Sequence, residues 1–316
     1  MTVLHRTEHT RVVDAPPRTL YGLVADTTRW PAIFGPSVHV HHLERGARRE
    51  RFEIWAQVNG ETAHWTSRRV LDPERLYISF RQERSHPPVA SMGGGWHFRE
   101  LPDGRTEVIL RHRFGVVDDD PAALDRMVEA LDRNSAEELG ALARVAELDH
   151  PVEDVVFTFT DTVELAGPAA AAYDFVNRAD LWAERLPHVS RADLTETAPG
   201  VQVLEMDTVT ADGSAHRTRS VRVCREPGWI AYKQLVMPEL LTGHSGLWTF
   251  TEGPDGPLAV ARHTVAVDPA AVTRVLGADA TLQDARRYVR EALGRNSLTT
   301  MTHAAVHAEA PRTRVR

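Results

Sequence analysis

The chain has 316 residues, 42% of them hydrophobic and 26% charged, with a formal net charge of −7. That length accommodates two domains of ordinary size, and the acidic balance argues against a dedicated nucleic-acid surface. One cysteine, Cys224, permits neither an internal disulfide nor a thiolate metal cluster. No apolar run approaches the ~18 residues of a membrane helix and Met1–Arg11 is no signal peptide, so a cytoplasmic protein is expected.

In chain order, His9–Asp14 alternates as a strand, and Pro16-Pro17 opens a short helix through Ala25. A second short helix is expected at about Thr27–Phe34. Strands follow at Ser37–Glu44, Arg49–Val58, Thr62–Leu71, Arg75–Glu83, Gly94–Leu101 and Arg105–Val116, with Pro102-Asp103-Gly104 as a tight hairpin turn. Asp120-Pro121 then caps a long helix reaching roughly Leu148. The order β-α-α-β-β-β-β-β-β-α describes a curved antiparallel sheet wrapped around one long helix.

The unit is written twice. Tyr21, Trp30, His64 and Trp96 recur 152 residues later as Tyr173, Trp182, His216 and Trp248. Ser67-Arg68-Arg69-Val70 matches Ser220-Val221-Arg222-Val223, and Arg111-His112 matches Arg262-His263. Ala130–Ser135 returns as Ala292–Ser297, the larger spacing reflecting an extra helical turn at Asp268–Gly277 before Asp279 restarts the long helix. An ordered series with small drifts implies two homologous domains. They are expected at residues 1–149 and 150–308, with 309–316 as a disordered tail.

Within Ala63–Val70, Trp65, Ser67 and Arg69 share one strand face. If that face is the inner one, the Arg69 guanidinium needs a partner: a buried carboxylate, or a polar ligand in a wet cavity. The long helix shows an apolar stripe of Leu124, Met127, Val128, Leu131, Leu142 and Val145. Its middle lands on Asn134, Ser135 and Glu138; in the second copy Leu282, Val289 and Leu293 lead to Asn296, Thr300 and His303. Polar groups on an inward face suit either a solvated cavity or bonds to strand carbonyls. His112 lies on the apolar face of the last strand, as His263 does in the second copy, and is either a satisfied core residue or an acid/base. Trp30, Trp65 and Trp96 line a cavity for flat ligands or are simply core. Met92-Gly93-Gly94-Gly95 removes side chains at a strand start, admitting a ligand or another backbone. There is no GxSxG elbow, HExxH or Walker loop.

Three stretches carry a resemblance: Trp30-Pro31-Ala32-Ile33-Phe34, Trp65-Thr66-Ser67-Arg68-Arg69-Val70, and Trp96 following Met92. Over nearly its whole length the chain resembles the two-domain aromatase/cyclases of bacterial type II polyketide synthases. The resemblance implies an α+β protein of two tandem helix-grip (START-like) domains. It implies an enzyme that takes a linear poly-β-ketone from an acyl carrier protein and closes and aromatises its first ring, in C7–C12 register, using no metal or redox cofactor. Other type II polyketide synthase components are implied partners. Arg69 and Ser67, with Arg222 and Ser220 in the second copy, would hold substrate carbonyls. His112 and His263 would be the acid/base groups. Trp30, Trp65, Met92, Trp96, Asn134, Trp182, Trp248 and Asn296 would shape the binding walls. Ser37 stands where several single-domain members carry tyrosine, and the second copy has Thr218 in place of Trp65 and Trp182-Ala183 in place of Trp-Pro. The two pockets are therefore expected to differ in their work. A basic rim at Arg45, Arg48, Arg49 and Arg51 would receive an acidic carrier protein. The alternative from another class is a non-catalytic carrier of a flat hydrophobic metabolite.

Overall fold

Period-two alternation and tight turns organise most of each half as an antiparallel meander. The computed structural model describes residues 2–209 and 215–309, and the chain divides into two units at the Val152–Glu153 junction. The first unit runs β1 (His5–Val13), α1 (Pro17–Ala25), α2 (Trp30–Ile33), β2 (Ser37–Arg45), β3 (Arg49–Val58), β4 (Glu61–Asp72), β5 (Tyr77–Arg84), β6 (Val89–Glu100), β7 (Thr106–Val116) and α3 (Pro121–Ala146). Its seven strands are ordered β1-β7-β6-β5-β4-β3-β2. Consecutive strands from β2 to β7 are neighbours, and β1 pairs with β7 in register Thr7 to His112.

The second unit repeats this plan. A short α4 (Val152–Val155) leads into β8 (Val156–Glu164), α5 (Ala169–Asn177), α6 (Trp182–Arg185), β9 (Val189–Ala198), β10 (Val201–Val209), β11 (Ala215–Arg225), β12 (Trp229–Val236), β13 (Leu241–Gly253) and β14 (Gly256–Val267). Then come α7 (Val272–Leu276), which is the extra helical turn, and α8 (Leu282–Glu309). The strand order β8-β14-β13-β12-β11-β10-β9 is that of the first sheet. Both units have the helix-grip (START-like) architecture. Of the expected tail, Glu309 ends α8 and residues 310–316 lie outside the described residues.

Local chemistry explains the boundaries. Asp120 accepts a bond from Ala122 N (3.0 Å) and Pro121 opens α3. Helix α8 starts at Leu282 rather than Asp279, because Thr281 and Asp284 cap each other reciprocally (Thr281 N to Asp284 Oδ2, 3.0 Å; Asp284 N to Thr281 Oγ1, 3.2 Å). Strand β6 begins five residues before the expected Gly94, so the glycines sit inside the ladder, with Gly94 opposite His112.

The inward faces of the long helices also differ from expectation. In α3 the first turns bury Ala123 and Ala130, while Leu124 and Val128 are only half-buried. In α8 the buried positions include Gly294, Ser297, Met301, Ala304 and Ala308, spaced three and four apart like a coiled-coil seam. Small residues let the backbones approach closely: a Cβ on Gly167 would meet Ala308 O at 1.9 Å. A reading weighted by bulk overlooks such a face.

Candidate active site

The concave face of the first sheet and α3 enclose a cavity of about 670 Å³, within the range of small-molecule sites. Every site residue expected in the first copy lines it: Trp30, Trp65, Ser67, Arg69, Met92, Trp96, His112 and Asn134. Its apolar walls also include Phe34, Phe52 and Phe80. The mouth lies among the β3–β4 turn (Asn59), the β5–β6 connection (His86–Pro88) and α3, where Arg126 is exposed.

Strand alternation works as the sequence implies, with Arg68 exposed and Arg69 1% exposed. Of the two partners open to Arg69, the structure contains the carboxylate. Asn59 and Gly60 both adopt positive φ (53° and 85°) at the β3–β4 turn, and the ladder counted outward from them sets Glu50 opposite Arg69. Arg69 Nε donates to Glu50 Oε2 (2.8 Å), and Nη2 lies 2.7 Å from the same carboxylate. Nη1 donates to Val24 O (2.8 Å) and Nη2 to Ala25 O, at the C-terminal end of α1. Trp30 and Phe52 flank the guanidinium, with ring centroids 5.3 and 5.6 Å away. Most of its donors are thus committed within the wall. Ser67 makes one long contact, to Arg81 O at 3.4 Å.

Two groups remain available for proton chemistry. His112 is buried on β7 with Phe80 at its edge, and its Nδ1 has no hydrogen-bond partner. Burial, with His9 nearby, lowers its pKa to about 4, so the imidazole is neutral at pH 7. Glu138, one turn beyond Asn134 on α3, also lines the cavity. Burial, reinforced by neighbouring Glu137, lifts its pKa to about 8, so it is protonated at neutral pH. The helical period brought Glu138 to the inward face, but nothing in the sequence announced that this carboxyl would stay neutral.

The glycine run does a different job from the one expected. A Cβ on Gly94 would lie 2.6 Å from Phe80 Cζ and 2.0 Å from Arg111 O, and one on Gly95 would lie 2.7 Å from the Tyr77 ring. These positions accommodate aromatic rings of β5, not a ligand. The expected basic rim is also largely neutralised: Arg48 pairs with Glu74 (2.5 Å), Arg51 with Glu83 (2.6 Å) and Arg45 with Glu50 (3.7 Å). None of Arg45, Arg48, Arg49 and Arg51 lines the cavity.

In the second unit Arg222 repeats the clamp on the preceding helix, donating to Val176 O (2.7 Å) and Asn177 O (3.3 Å) beneath Trp182 (5.4 Å). The residue opposite it is Gln202, however, and Arg222 has no carboxylate partner among the described residues. Ser220 is buried two positions earlier on the same face. Trp182 and Trp248 belong to the hydrophobic core of this unit. Asn296 is a correction: it is exposed on α8, and Ser297 and Thr300 take the inward positions. His303 is exposed as well. His263 is joined by residues that the sequence did not single out. Its Nδ1 lies 3.0 Å from Tyr232 Oη and 3.1 Å from His244 Nε2, and its Nε2 lies 2.6 Å from Ser297 Oγ.

Residues 5–147 and 165–287 each match a family described as polyketide cyclase / dehydrase and lipid transport. The chain is 65% identical to the granaticin polyketide synthase bifunctional cyclase/dehydratase of Streptomyces violaceoruber, covering 97% of this chain and 95% of the relative. It is 52% identical to the actinorhodin polyketide synthase bifunctional cyclase/dehydratase of Streptomyces coelicolor, covering 96% and 97%. The crystal structure of the di-domain ARO/CYC BexL from the BE-7585A biosynthetic pathway superposes with TM-score 0.85 at 49% identity, over 97% of this chain and 99% of that one. The di-domain ARO/CYC StfQ from the steffimycin biosynthetic pathway gives 0.82 at 37% identity, over 96% and 98%. The chain belongs to the polyketide cyclase / dehydrase family, as a two-domain cyclase/dehydratase of the aromatase/cyclase type found in type II polyketide synthases.

Proposed function

We propose that this enzyme closes the first ring of a carrier-bound poly-β-ketone by aldol cyclisation in C7–C12 register, with the first unit carrying the larger share of ring closure and dehydration to the aromatic ring following. The observation that carries this reading is the aromatic-walled cavity of about 670 Å³ lined by a neutral imidazole, His112, and a neutral carboxyl, Glu138. Closure needs a base for the α-proton and an acid for the new alkoxide. Neutral His112 takes the α-proton, the enolate carbon attacks a distant carbonyl, and Glu138 gives its proton to the oxygen. A C–H bond breaks, C–C and O–H bonds form, and the step is redox-neutral. Arg69 supplies a fixed positive charge in the wall beside the developing oxyanion. Trp30, Trp65 and Trp96 restrict how the chain folds and hence which carbons meet.

An acidic acyl carrier protein, itself part of a type II polyketide synthase assembly, would present the substrate at the mouth, where Arg126 and Arg133 are exposed. A carrier of a flat metabolite would use the same cavity without needing these proton-transfer groups. Reconstitution with a minimal polyketide synthase, with and without a ketoreductase, separates the two readings. Wild-type protein should give the regiospecific aromatic product, and folded His112→Ala and Glu138→Gln variants should divert carbon to spontaneously cyclised shunt compounds. Unchanged products from both variants would favour the carrier.

A further inference from the structure

The inward faces of the two units differ where three strands meet the long helix. In the first unit β5, β6 and β7 contribute Phe80, Met92 and His112, and α3 contributes Ser135. In the second the corresponding residues are Tyr232, His244, His263 and Ser297. An inert ring and a thioether have been replaced by a phenol and an imidazole. Tyr232 Oη lies 3.0 Å from His263 Nδ1 and 3.3 Å from His244 Nε2, those two nitrogens are 3.1 Å apart, and His263 Nε2 reaches Ser297 Oγ at 2.6 Å. Gly246 makes room for the phenol, since a Cβ there would meet Tyr232 Oη at 2.5 Å. Burial keeps both imidazoles neutral, with the His263 pKa lowered to about 4.

Four neutral groups that each donate and accept form a continuous proton path. One consistent assignment runs His244 Nε2–H to Tyr232, Tyr232 Oη–H to His263, and His263 Nε2–H to Ser297. The surroundings hold unmet polar capacity. Gln234, two residues along β12 on the face of Tyr232, has a buried Oε1 with no hydrogen-bond partner, and Ser220 stands opposite it on β11. Arg222, directly opposite Tyr232 in the ladder, carries a positive charge without a carboxylate partner among the described residues.

We infer that Tyr232, His244 and His263 form a second reaction centre, which dehydrates the cyclised β-hydroxy ketone that ring closure produces. This rests on the cyclase/dehydratase reading and assigns one of its steps to the second unit. The ligand class follows from Arg222, whose charge has no carboxylate partner among the described residues and which, with Ser220 on the same strand face, meets the ketone oxygen. The α-proton passes to the imidazole pair, and the C–H electrons form an enolate held by Arg222. The enolate reforms the ketone and expels the β-hydroxyl, which takes the Tyr232 Oη proton and leaves as water. The proton on the imidazoles then crosses the 3.0–3.3 Å contacts to restore the phenol. One C–H and one C–O bond break, one C=C forms, and the array returns to its starting state. Tyr232 is the catalytic acid; Ser297 is a positioning residue that fixes the His263 tautomer.

The test uses full-length Tyr232→Phe and His244→Met, which install the residues the first unit carries at these places, with carrier-bound poly-β-ketone generated in situ by a minimal polyketide synthase. Thermal unfolding confirms folding, and if His244→Met misfolds, Tyr232→Phe alone decides. The expected result is a fall of about 10²-fold in dehydration kcat at unchanged KM, with ring closure at the wild-type rate and the cyclised hydroxy compound accumulating. Dehydration at the wild-type rate in folded variants would overturn the inference, as would equal loss of ring closure and dehydration. If wild-type protein itself forms no dehydrated product, the cyclase/dehydratase reading fails first, and that control identifies which of the two has fallen.

Discussion

Replacing Glu50 with Gln would turn the buried pair of the first unit into the arrangement the second already has, with an amide opposite arginine. Glu50 and Arg69 are 6% and 1% exposed, and water screens neither. Removing one member of a buried pair typically costs 3–5 kcal/mol. The amide keeps the size and one acceptor for Arg69 Nε–H, and Gln202 opposite Arg222 shows that the fold accommodates it. A loss of about 2–3 kcal/mol is therefore expected, lowering the unfolding midpoint of a unit of ~150 residues by about 5–10 °C. The pH dependence has a definite sign. Burial pushes the Glu50 carboxyl up, but His42 and Arg69 together pull it further down, leaving its pKa below the ordinary value. Its charge therefore stabilises the fold above the unfolded pKa of about 4.3, and that stabilisation is lost as pH falls through the lower folded value. Calorimetry of the full chain should show the deficit in the transition of the first unit at pH 7, shrinking below about pH 4. An unshifted midpoint at pH 7, or a deficit that persists unchanged in acid, would refute the argument.

Three further outcomes are expected. Residues 1–149 and 150–316 expressed separately should each unfold cooperatively, and two unfolded halves in circular dichroism would disprove independent folding. Ring closure needs neutral His112 and protonated Glu138, so its rate should rise through a pKa of about 4 and fall through one of about 8; Glu138→Gln should lose the alkaline limb along with most of the rate. Gly94→Ala would push a Cβ to 2.0 Å from Arg111 O and against Phe80, so denaturant unfolding should show a loss of a few kcal/mol.

The repeat, the element order and the strand faces are legible in the amino-acid order, because they depend on spacing, turn residues and period-two alternation. Counting equally outward from the Asn59-Gly60 turn finds Glu50 opposite Arg69, since a two-residue turn sets hairpin register. The same count outward from Asp212-Gly213 would set Val203 opposite Arg222, one residue away from the Gln202 that the ladder places there. Other features depend on packing between elements distant in the chain. Asn296 is the sequence counterpart of Asn134, yet it is exposed on α8 while the adjacent Ser297 is buried, as Ser135 is in the first unit. The Tyr232–His244–His263–Ser297 path draws on three strands and a helix, and no spacing within one element encodes it. The neutral state of Glu138 has the same origin: its residue type allows either charge, and only the surrounding fold, by excluding bulk water, selects the protonated one.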